Sequence, residues 1–338
     1  VRVLLIKTSS MGDIIHTLPA LTDAQQAIAT IQVDWVVEES FTDIPTWHPA
    51  VNTIYPVAIR RWRKNVYQTW RNGEFKQFKR SIKEQDYDLI IDAQGLLKSA
   101  FLTRGLSAEV AGYDKDSARE PIASCFYQKR FQVAKDQHAV ERIRDLFAQA
   151  LGYQKPKTVG DYGLNHQQIA QTVTPLAESS YCIFLHGTTW PSKHWPEENW
   201  RKLAEYCQQQ QQAVYLPWGN DAEYQRALRI SDGLLNVHVL PKLSIAELAA
   251  LFVSATACVA VDTGLGHLAA ALDVPCISLY GPTLPDRVGA YGKGQIHLCA
   301  SGDYAGRGDR QRACFDSLTA TQVVDQLALL LARIKGKS

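Results

Sequence analysis

The densest set of anion-binding residues in the chain lies in Val259-Ala-Val-Asp-Thr-Gly-Leu-Gly-His-Leu-Ala-Ala-Ala271. An apolar strand gives way there to a helix. Asp262, Thr263, Gly264 and Gly266 form the junction, followed by His267 in the first turn. The open N–H groups of a helix start carry partial positive charge, and glycine lets the backbone approach a ligand closely. With a hydroxyl and an imidazole alongside, the segment suits a phosphate, and above all a diphosphate. Gly264-Leu-Gly266-His-Leu-Ala269 also fits the G-x-G-x-x-A dinucleotide fingerprint, with Asp286 about 20 residues further on. A nicotinamide cofactor is nevertheless disfavoured. The match falls in the last third of the chain, Asp286 stands beyond a proline-rich turn (Pro282, Pro285), and Asp262 puts a negative charge just before the phosphate turn.

A carboxylate for proton transfer is found at the other end. Lys7-Thr-Ser-Ser-Met-Gly-Asp13-Ile-Ile-His16 follows the first strand and opens the first helix. Asp13 could simply cap that helix. Ser9, Ser10 and Gly12 make a richer hydrogen-bonding loop than a cap requires, so Asp13 is read as a general base acting on a hydroxyl.

Two further loops are of ligand-binding type. In His186-Gly-Thr-Thr-Trp-Pro-Ser-Lys193-His-Trp-Pro-Glu197, Thr188, Thr189 and Lys193 suit a phosphate or sugar. The plain alternative is a capped helix entry with a solvated lysine. Leu216-Pro-Trp-Gly-Asn-Asp-Ala-Glu223 ends in an acid that could accept from ribose hydroxyls or complement a helix dipole.

Residues 60–83 hold a local charge anomaly: Arg60, Arg61, Arg63, Lys64, Arg71, Lys76, Lys79, Arg80 and Lys83, against Glu74 alone. Trp62, Tyr67, Trp70, Phe75 and Phe78 interleave. Four cations within Arg60-Arg-Trp-Arg-Lys64 repel one another unless an anion is near, so this run is expected to hold an anionic ligand or an anionic membrane surface. Phe75, Phe78 and Ile82 share one helical face and are expected to fill their own domain. Nucleic acid is not expected as a partner, because the net charge is only +2 and no second basic surface matches the first. Asp86-Tyr-Asp88 and Asp114-Lys-Asp116 have the spelling of a D-x-D metal motif. Without a His/Asp/Glu cluster to support them, no metal is expected. Lys193, His267 and helix N–H groups would offset the charge of a leaving diphosphate.

These residues need a scaffold. With 338 residues, 46% of them hydrophobic, the chain can fill two cores. Strands are predicted at 2–7, 32–38, 52–58 and 87–92, then at 181–186, 213–217, 237–240, 257–261 and 276–280. Helical periodicity lies between them, as in Ile245, Leu248, Ala249 and Phe252 after a Ser244 cap. Alternation of this kind implies an α/β protein with parallel sheets covered on both faces. The series restarts after 154–180, where the linker is placed. Residues 320–333 read as a terminal helix. The seven cysteines (125, 182, 207, 258, 276, 299, 314) form no Cys-x-x-Cys pair and are expected as thiols, although Cys299 and Cys314 could approach each other. Strand-like sequence from Val1 onward, with no apolar run near the roughly 20 residues of a bilayer span, predicts a cytoplasmic protein without a signal peptide.

Lys7-Thr-Ser-Ser-Met-Gly-Asp13, His16-Thr-Leu-Pro-Ala, Asp262-Thr-Gly-Leu-Gly-His267 and Tyr280-Gly-Pro-Thr283 together resemble the bacterial ADP-heptose:lipopolysaccharide heptosyltransferases over nearly the whole chain. Val36-Val-Glu-Glu39, Arg60-Arg-Trp-Arg-Lys64, Asp92-Ala-Gln-Gly95, Ala118-Arg-Glu-Pro121, Gln137-His-Ala-Val-Glu141 and Lys193-His-Trp-Pro196 resemble the branch that adds the first heptose.

The resemblance implies a GT-B glycosyltransferase fold: two doubly wound Rossmann-like domains facing a central cleft. An acceptor domain would span 1–165 and a nucleotide-sugar domain 175–317, with a helix at about 318–338 packing back on the first. It implies inverting transfer of L-glycero-D-manno-heptose from ADP-heptose to a Kdo residue of Kdo2-lipid A, with no cofactor and no obligatory metal. The enzyme would work peripherally, on the cytoplasmic face of the anionic inner membrane. By position, Asp13 would be the base. Ser10, Gly12, Arg60, Arg61, Arg63, Lys64 and Arg119 would bind the acceptor. Thr188, Thr189 and Lys193 would hold donor phosphate and heptose, and Asp262 the heptose hydroxyls. Thr263, Gly264, Leu265 and His267 would hold the diphosphate, Glu223 the ribose, and Leu243 would lie by the adenine. Gly266 and Leu243 stand where a close relative in that family has serine and methionine. Three other readings are a transferase for a later inner-core acceptor, an NAD-dependent sugar-modifying enzyme (which would need a bound nicotinamide cofactor), and a non-catalytic binder of anionic lipid.

Overall fold

The computed structural model describes residues 1–65, 71–171, 180–300 and 315–336. Tyr67, Trp70 and Cys314 lie outside them, and with Cys314 the question of its pairing with Cys299. The chain divides into two compact units, Val1–Leu164 and Asn165–Ser338.

Each unit is built on a six-stranded parallel sheet. The first comprises β1 (Arg2–Ile6), β2 (Gln32–Glu38), β3 (Val51–Val57), β4 (Leu89–Asp92), β5 (Val110–Tyr113) and β6 (Lys129–Phe131). Their spatial order is β3-β2-β1-β4-β5-β6. The second comprises β7 (Tyr181–Leu185), β8 (Ala213–Leu216), β9 (Val237–Val239), β10 (Ala257–Val261), β11 (Cys276–Tyr280) and β12 (Gln295–Cys299), in the order β12-β11-β10-β7-β8-β9. Numbered within its own unit, each sheet runs 3-2-1-4-5-6, the doubly wound order. The order reverses between β1 and β4 in the first sheet and between β7 and β10 in the second. Strands on either side of these points are in register, Ile6 with Asp92 and Leu185 with Ala260. The loops leaving these four strands therefore splay to opposite faces and leave a crevice at the carboxyl edge, where ligands of such sheets bind. Both chemistry-bearing sets of the sequence lie on those loops.

Burial follows from parallel pairing. Val3–Ile6 and Ala257–Ala260 are apolar and fully buried, as strands covered on both faces must be. In the first unit, the helix Glu74–Lys83 buries Phe78 and Ile82 beneath its basic face, as its spacing predicts. In the second, Ser244 caps the helix Ile245–Val253 and exchanges hydrogen bonds with Glu247.

The terminal helix, Ala320–Lys335, helps to fill the core of the second unit. Val323, Leu327, Leu330 and Leu331 recur at helical spacing and join Trp195, Trp200 and Leu203 of that core. Trp195 Nε1 donates to Leu318 O at 2.8 Å, fixing the chain at the helix entry. The wide apolar face of the helix Glu197–Gln209 supplies the matching surface.

Candidate active site

At the switch point of the first sheet, the loop after β1 wraps a buried ammonium. Lys7 Nζ donates to Ala93 O at 3.0 Å and lies 3.8 Å from Asp13 Oδ1. Burial pushes its pKa down, and the charges of Asp13 and Asp92 oppose that shift. The loop is pinned from the neighbouring strand, because Gln94 Oε1 accepts from the N–H groups of Thr8 (3.0 Å) and Ser9 (3.2 Å). Below it, fully buried Asp92 accepts from Tyr127 Oη (2.7 Å), Ser99 Oγ (2.9 Å) and Gln94 N (2.9 Å). Burial still raises its pKa despite these bonds. Gly95 leaves this turn at φ +64, with a Cβ there 3.2 Å from the Tyr113 ring, so glycine meets both demands.

Asp13 is not the helix cap. Ser10 occupies that place, and Asp13 sits three residues on in the short helix Met11–Ile15. Its Oδ2 accepts from Ser10 N (2.9 Å) and Ser10 Oγ (3.2 Å). The carboxylate is thus held by backbone and hydroxyl donors while its side chain stays 30% exposed. That is the setting of an oriented base that a substrate can reach. Ser10 is exposed and Gly12 buried beside it. Lys98, missed by the sequence reading, donates to Ser9 Oγ at 3.0 Å. Its pKa is lowered by burial first, with Arg60 and Arg119 lowering it further against the opposite pull of Glu38 and Asp13. Lys98 thus feels the charges of Asp13, Arg60 and Arg119 together.

The basic run forms the helix Ile59–Lys64, and its four cations differ in kind. Arg61 has anions of its own: Nη1 donates to both oxygens of Glu74 (3.0 and 2.9 Å), and Nε and Nη2 to Glu39 (3.3 and 3.1 Å). Trp62 Nε1 also donates to Glu74 at 2.8 Å. The fork of Arg61 is thus taken up by two carboxylates of the chain. Arg60 lies over the Phe41 ring at 5.7 Å, its N–H bonded to Glu38. Arg63, Lys64 and Arg119 are exposed.

At the switch point of the second sheet, Lys193 Nζ meets Asp262 Oδ2 at 2.5 Å, and Thr283 Oγ1 donates to the same oxygen at 2.8 Å. Thr188 Oγ1 donates to Asp262 O at 3.1 Å. Two loops, that of Thr188 and Lys193 and that of Thr283, thus converge on one aspartate. The charge that stood against a phosphate here is compensated by Lys193, and Lys193 also lies 4.5 Å from the Trp190 ring centre. Thr263 precedes the helix Gly264–Ala271, whose first turn carries Gly264, Leu265 and buried His267. Gly266 faces Ala260 Cβ, 3.3 Å from where its own Cβ would be, so this helix packs tightly on β10. Thr189 is exposed and Leu243 half-buried.

Glu223 lies in the first turn of the helix Asp221–Ser231, capped by Asn220, and accepts from Gly219 N at 2.7 Å. A Cβ on Gly187 would come within 2.6 Å of its carboxyl carbon. Glycine there lets the Thr188 loop press against Glu223. Arg226, also missed, binds both ends of that loop: Nη1 reaches His186 O at 3.5 Å and also bonds His194 Nδ1. Glu197 anchors Arg226 at 3.3 Å. His186 is sealed inside, and burial, then the charge of Arg226, push it down to about 4.

One aspartate of each D-x-D pair serves the backbone. Asp88 accepts from Arg2 N, and Asp114 from the N–H groups of Asp116 and Ser117. Among the described residues, no three His, Cys, Asp or Glu are grouped to hold a metal, and no helix is long and apolar enough to cross a membrane.

Two doubly wound units, each with polar loops at its switch point, define a GT-B glycosyltransferase fold. The model of glycosyltransferase family 9 (heptosyltransferase) matches residues 75–315. Lipopolysaccharide heptosyltransferase 1 of Pseudomonas aeruginosa is 63% identical over 298 residues, 88% of this chain and 83% of that protein. The solved Escherichia coli heptosyltransferase WaaC with ADP superposes with a TM-score of 0.90 at 47% identity, covering 98% of this chain and all of that one. The same enzyme with ADP-2-deoxy-2-fluoro heptose gives 0.87 at 48%, covering 97% and 99%. The chain belongs to glycosyltransferase family 9, the heptosyltransferases, and is a glycosyltransferase.

Proposed function

We propose that the chain transfers L-glycero-D-manno-heptose from ADP-heptose to a Kdo hydroxyl of Kdo2-lipid A in assembly of the lipopolysaccharide inner core. The Lys193–Asp262–Thr283 cluster beside the helix start at Gly264 carries this reading. It combines a cation, sugar-binding oxygens and phosphate-binding N–H groups at one sheet edge. ADP-heptose offers the matching groups, and the relatives bound to ADP and to a fluoro-heptose donor are alike across nearly the whole chain.

Asp13 takes the proton of the acceptor hydroxyl as its oxygen attacks the anomeric carbon. The bond from that carbon to the diphosphate breaks with inversion. Lys193, His267 and the N–H groups at Thr263–Leu265 compensate the charge gathering on departing ADP. Asp262 holds heptose hydroxyls, with Thr188 and Thr189 alongside. Glu223 takes the ribose, and Leu243 lies by the adenine. No cofactor or metal enters these steps. Ser10 and Gly12 shape the acceptor pocket, and Arg60, Arg63, Lys64 and Arg119 bind acceptor carboxylates and phosphates. Arg61 braces their helix. The acceptor's lipid places the enzyme peripherally on the anionic inner-membrane surface.

ADP release tests the reading. ADP-heptose with Kdo2-lipid A should give rapid release, and an acceptor already carrying its first heptose should give none. The reverse pattern would assign a later inner-core acceptor.

A further inference from the structure

Large apolar side chains left in water gather at one place in the first unit. Leu97 and Phe101 are 41% and 47% exposed, and Ile122 is 58% exposed. Leu97 and Phe101 stand four residues apart on the helix Leu97–Thr103 and so share its outer face, while Ala100, Leu102 and Thr103 turn into the core. That helix packs against the turn Pro121–Phe126, which carries Ile122 outward and buries Ala123 and Ser124. Glu120 ties the two elements together, its Oε2 accepting from Leu97 N at 2.7 Å.

The patch adjoins the basic run. Phe101 stacks on Phe75 at 6.4 Å, and Phe75 meets Trp62 of the helix Ile59–Lys64 edge-on at 5.8 Å. Exposed Arg104 and Arg119 follow the two patch elements in sequence or precede them, and Lys98 sits between Leu97 and Ser99. The nearby acids are engaged: Glu74 and Glu39 by Arg61, and Glu120 by a backbone N–H. A few protruding apolar side chains with cations around them match an anionic bilayer, in which the apolar groups enter the headgroup boundary and the cations meet phosphates.

We propose that Leu97, Phe101 and Ile122 form the membrane-insertion face of this chain, seated on anionic phospholipid. The inference rests on the proposed acceptor being a lipid embedded in that bilayer. It assigns the docking to a surface beside Asp13 and Lys98, so the acceptor headgroup is presented to the site as the enzyme rests on the membrane.

The test is co-sedimentation with vesicles of phosphatidylethanolamine and phosphatidylglycerol, paired with ADP release on vesicle-embedded and on de-acylated acceptor. Phe101→Ser and Ile122→Ser should each weaken vesicle partitioning by roughly tenfold. Turnover on embedded acceptor should fall in parallel, and turnover on de-acylated acceptor should be unchanged. Ile122→Trp should strengthen partitioning, and it keeps the test open if Phe101→Ser misfolds. Unchanged partitioning in all three variants would overturn the proposal, as would equal losses on embedded and de-acylated acceptor. A chain inactive on either acceptor but still held by the vesicles through these side chains would refute the transferase reading and leave the docking face standing.

Discussion

Lys193 and Asp262 form an ion pair, Nζ to Oδ2 at 2.5 Å, from loops leaving the adjacent strands β7 and β10. Both side chains are mostly buried, at 15% and 9% exposure. The pair sets the cation beside the helix start before any donor arrives. On the proposed reading, removing the cation takes away charge compensation for the leaving group; it also leaves Asp262 with Thr283. Lys193→Gln should lower kcat/KM for ADP-heptose by about 10²-fold or more. It should also cost about 1–3 kcal/mol of stability, because a largely buried carboxylate loses a charged hydrogen-bond partner. Steady-state ADP release and denaturant unfolding measure the two effects. Wild-type kinetics in this variant would remove Lys193 from the donor site.

Arg226 fastens both ends of the loop that carries Thr188, Thr189 and Lys193. Arg226→Met should raise the donor KM several-fold and leave the acceptor KM alone. Arg226→Lys should restore little, because one ammonium cannot span two partners and Glu197 at once. Equal donor KM in all three proteins would show that the loop holds its shape unaided.

Arg61 and Arg63 separate structure from binding within one helix. Arg61→Gln should loosen the link to Glu39 and Glu74 and leave the acceptor KM within about twofold, as expected for an exposed pair. Arg63→Gln should raise the acceptor KM by about tenfold through loss of a charge-assisted bond to the acceptor. A larger acceptor effect at Arg61 would reverse the two assignments.

The strands that place the site were legible because β1, β4, β7 and β10 are apolar runs bounded by turns. Three were not. β5 is short and includes Gly112, which is required because Tyr127 packs where a Cβ would stand, 2.5 Å away. β6 and β12 are edge strands, so Lys129-Arg-Phe131 and Gln295-Ile-His-Leu-Cys299 carry polar residues and lack a buried-strand pattern. Within the site, loop composition marked Asp13, Lys193 and Asp262. Lys98 and Arg226 escaped notice, and Thr283 was given no role, because each acts on a partner distant in sequence: Ser9, His194 and Asp262. The filled fork of Arg61 was hidden for the same reason, since Glu39 lies on another element. Only the family resemblance placed the terminal helix on the first domain. Its apolar stripe says that it must be covered, and not by what.

Two buried histidines give the fold an acid limit. His48 accepts from Ala50 N at Nδ1 and bonds Thr22 Oγ1 at Nε2, so the neutral ring is the one that fits. Burial pushes it to about 4 against the pull of Asp161, and His186 stands at about 4 as well. Both folded values lie below the unfolded one near 6.5. The stability they protect is present in full above that value and lost as pH falls toward 4. At pH 5 the loss should be about 2 kcal/mol per histidine. Unfolding midpoints between pH 7 and 5 should fall accordingly, with a shallower slope in His48→Gln. A flat profile in the native chain would contradict neutral burial.

The central claim is that Asp13 takes the acceptor proton and leaves donor binding to other residues. The most direct measurement joins turnover with donor titration calorimetry in Asp13→Asn, which keeps the size of the side chain and removes its basicity. Turnover should fall by about 10³-fold while ADP-heptose affinity stays within about twofold of the native value. Turnover near the native rate, or a donor affinity that collapses with it, would contradict the account.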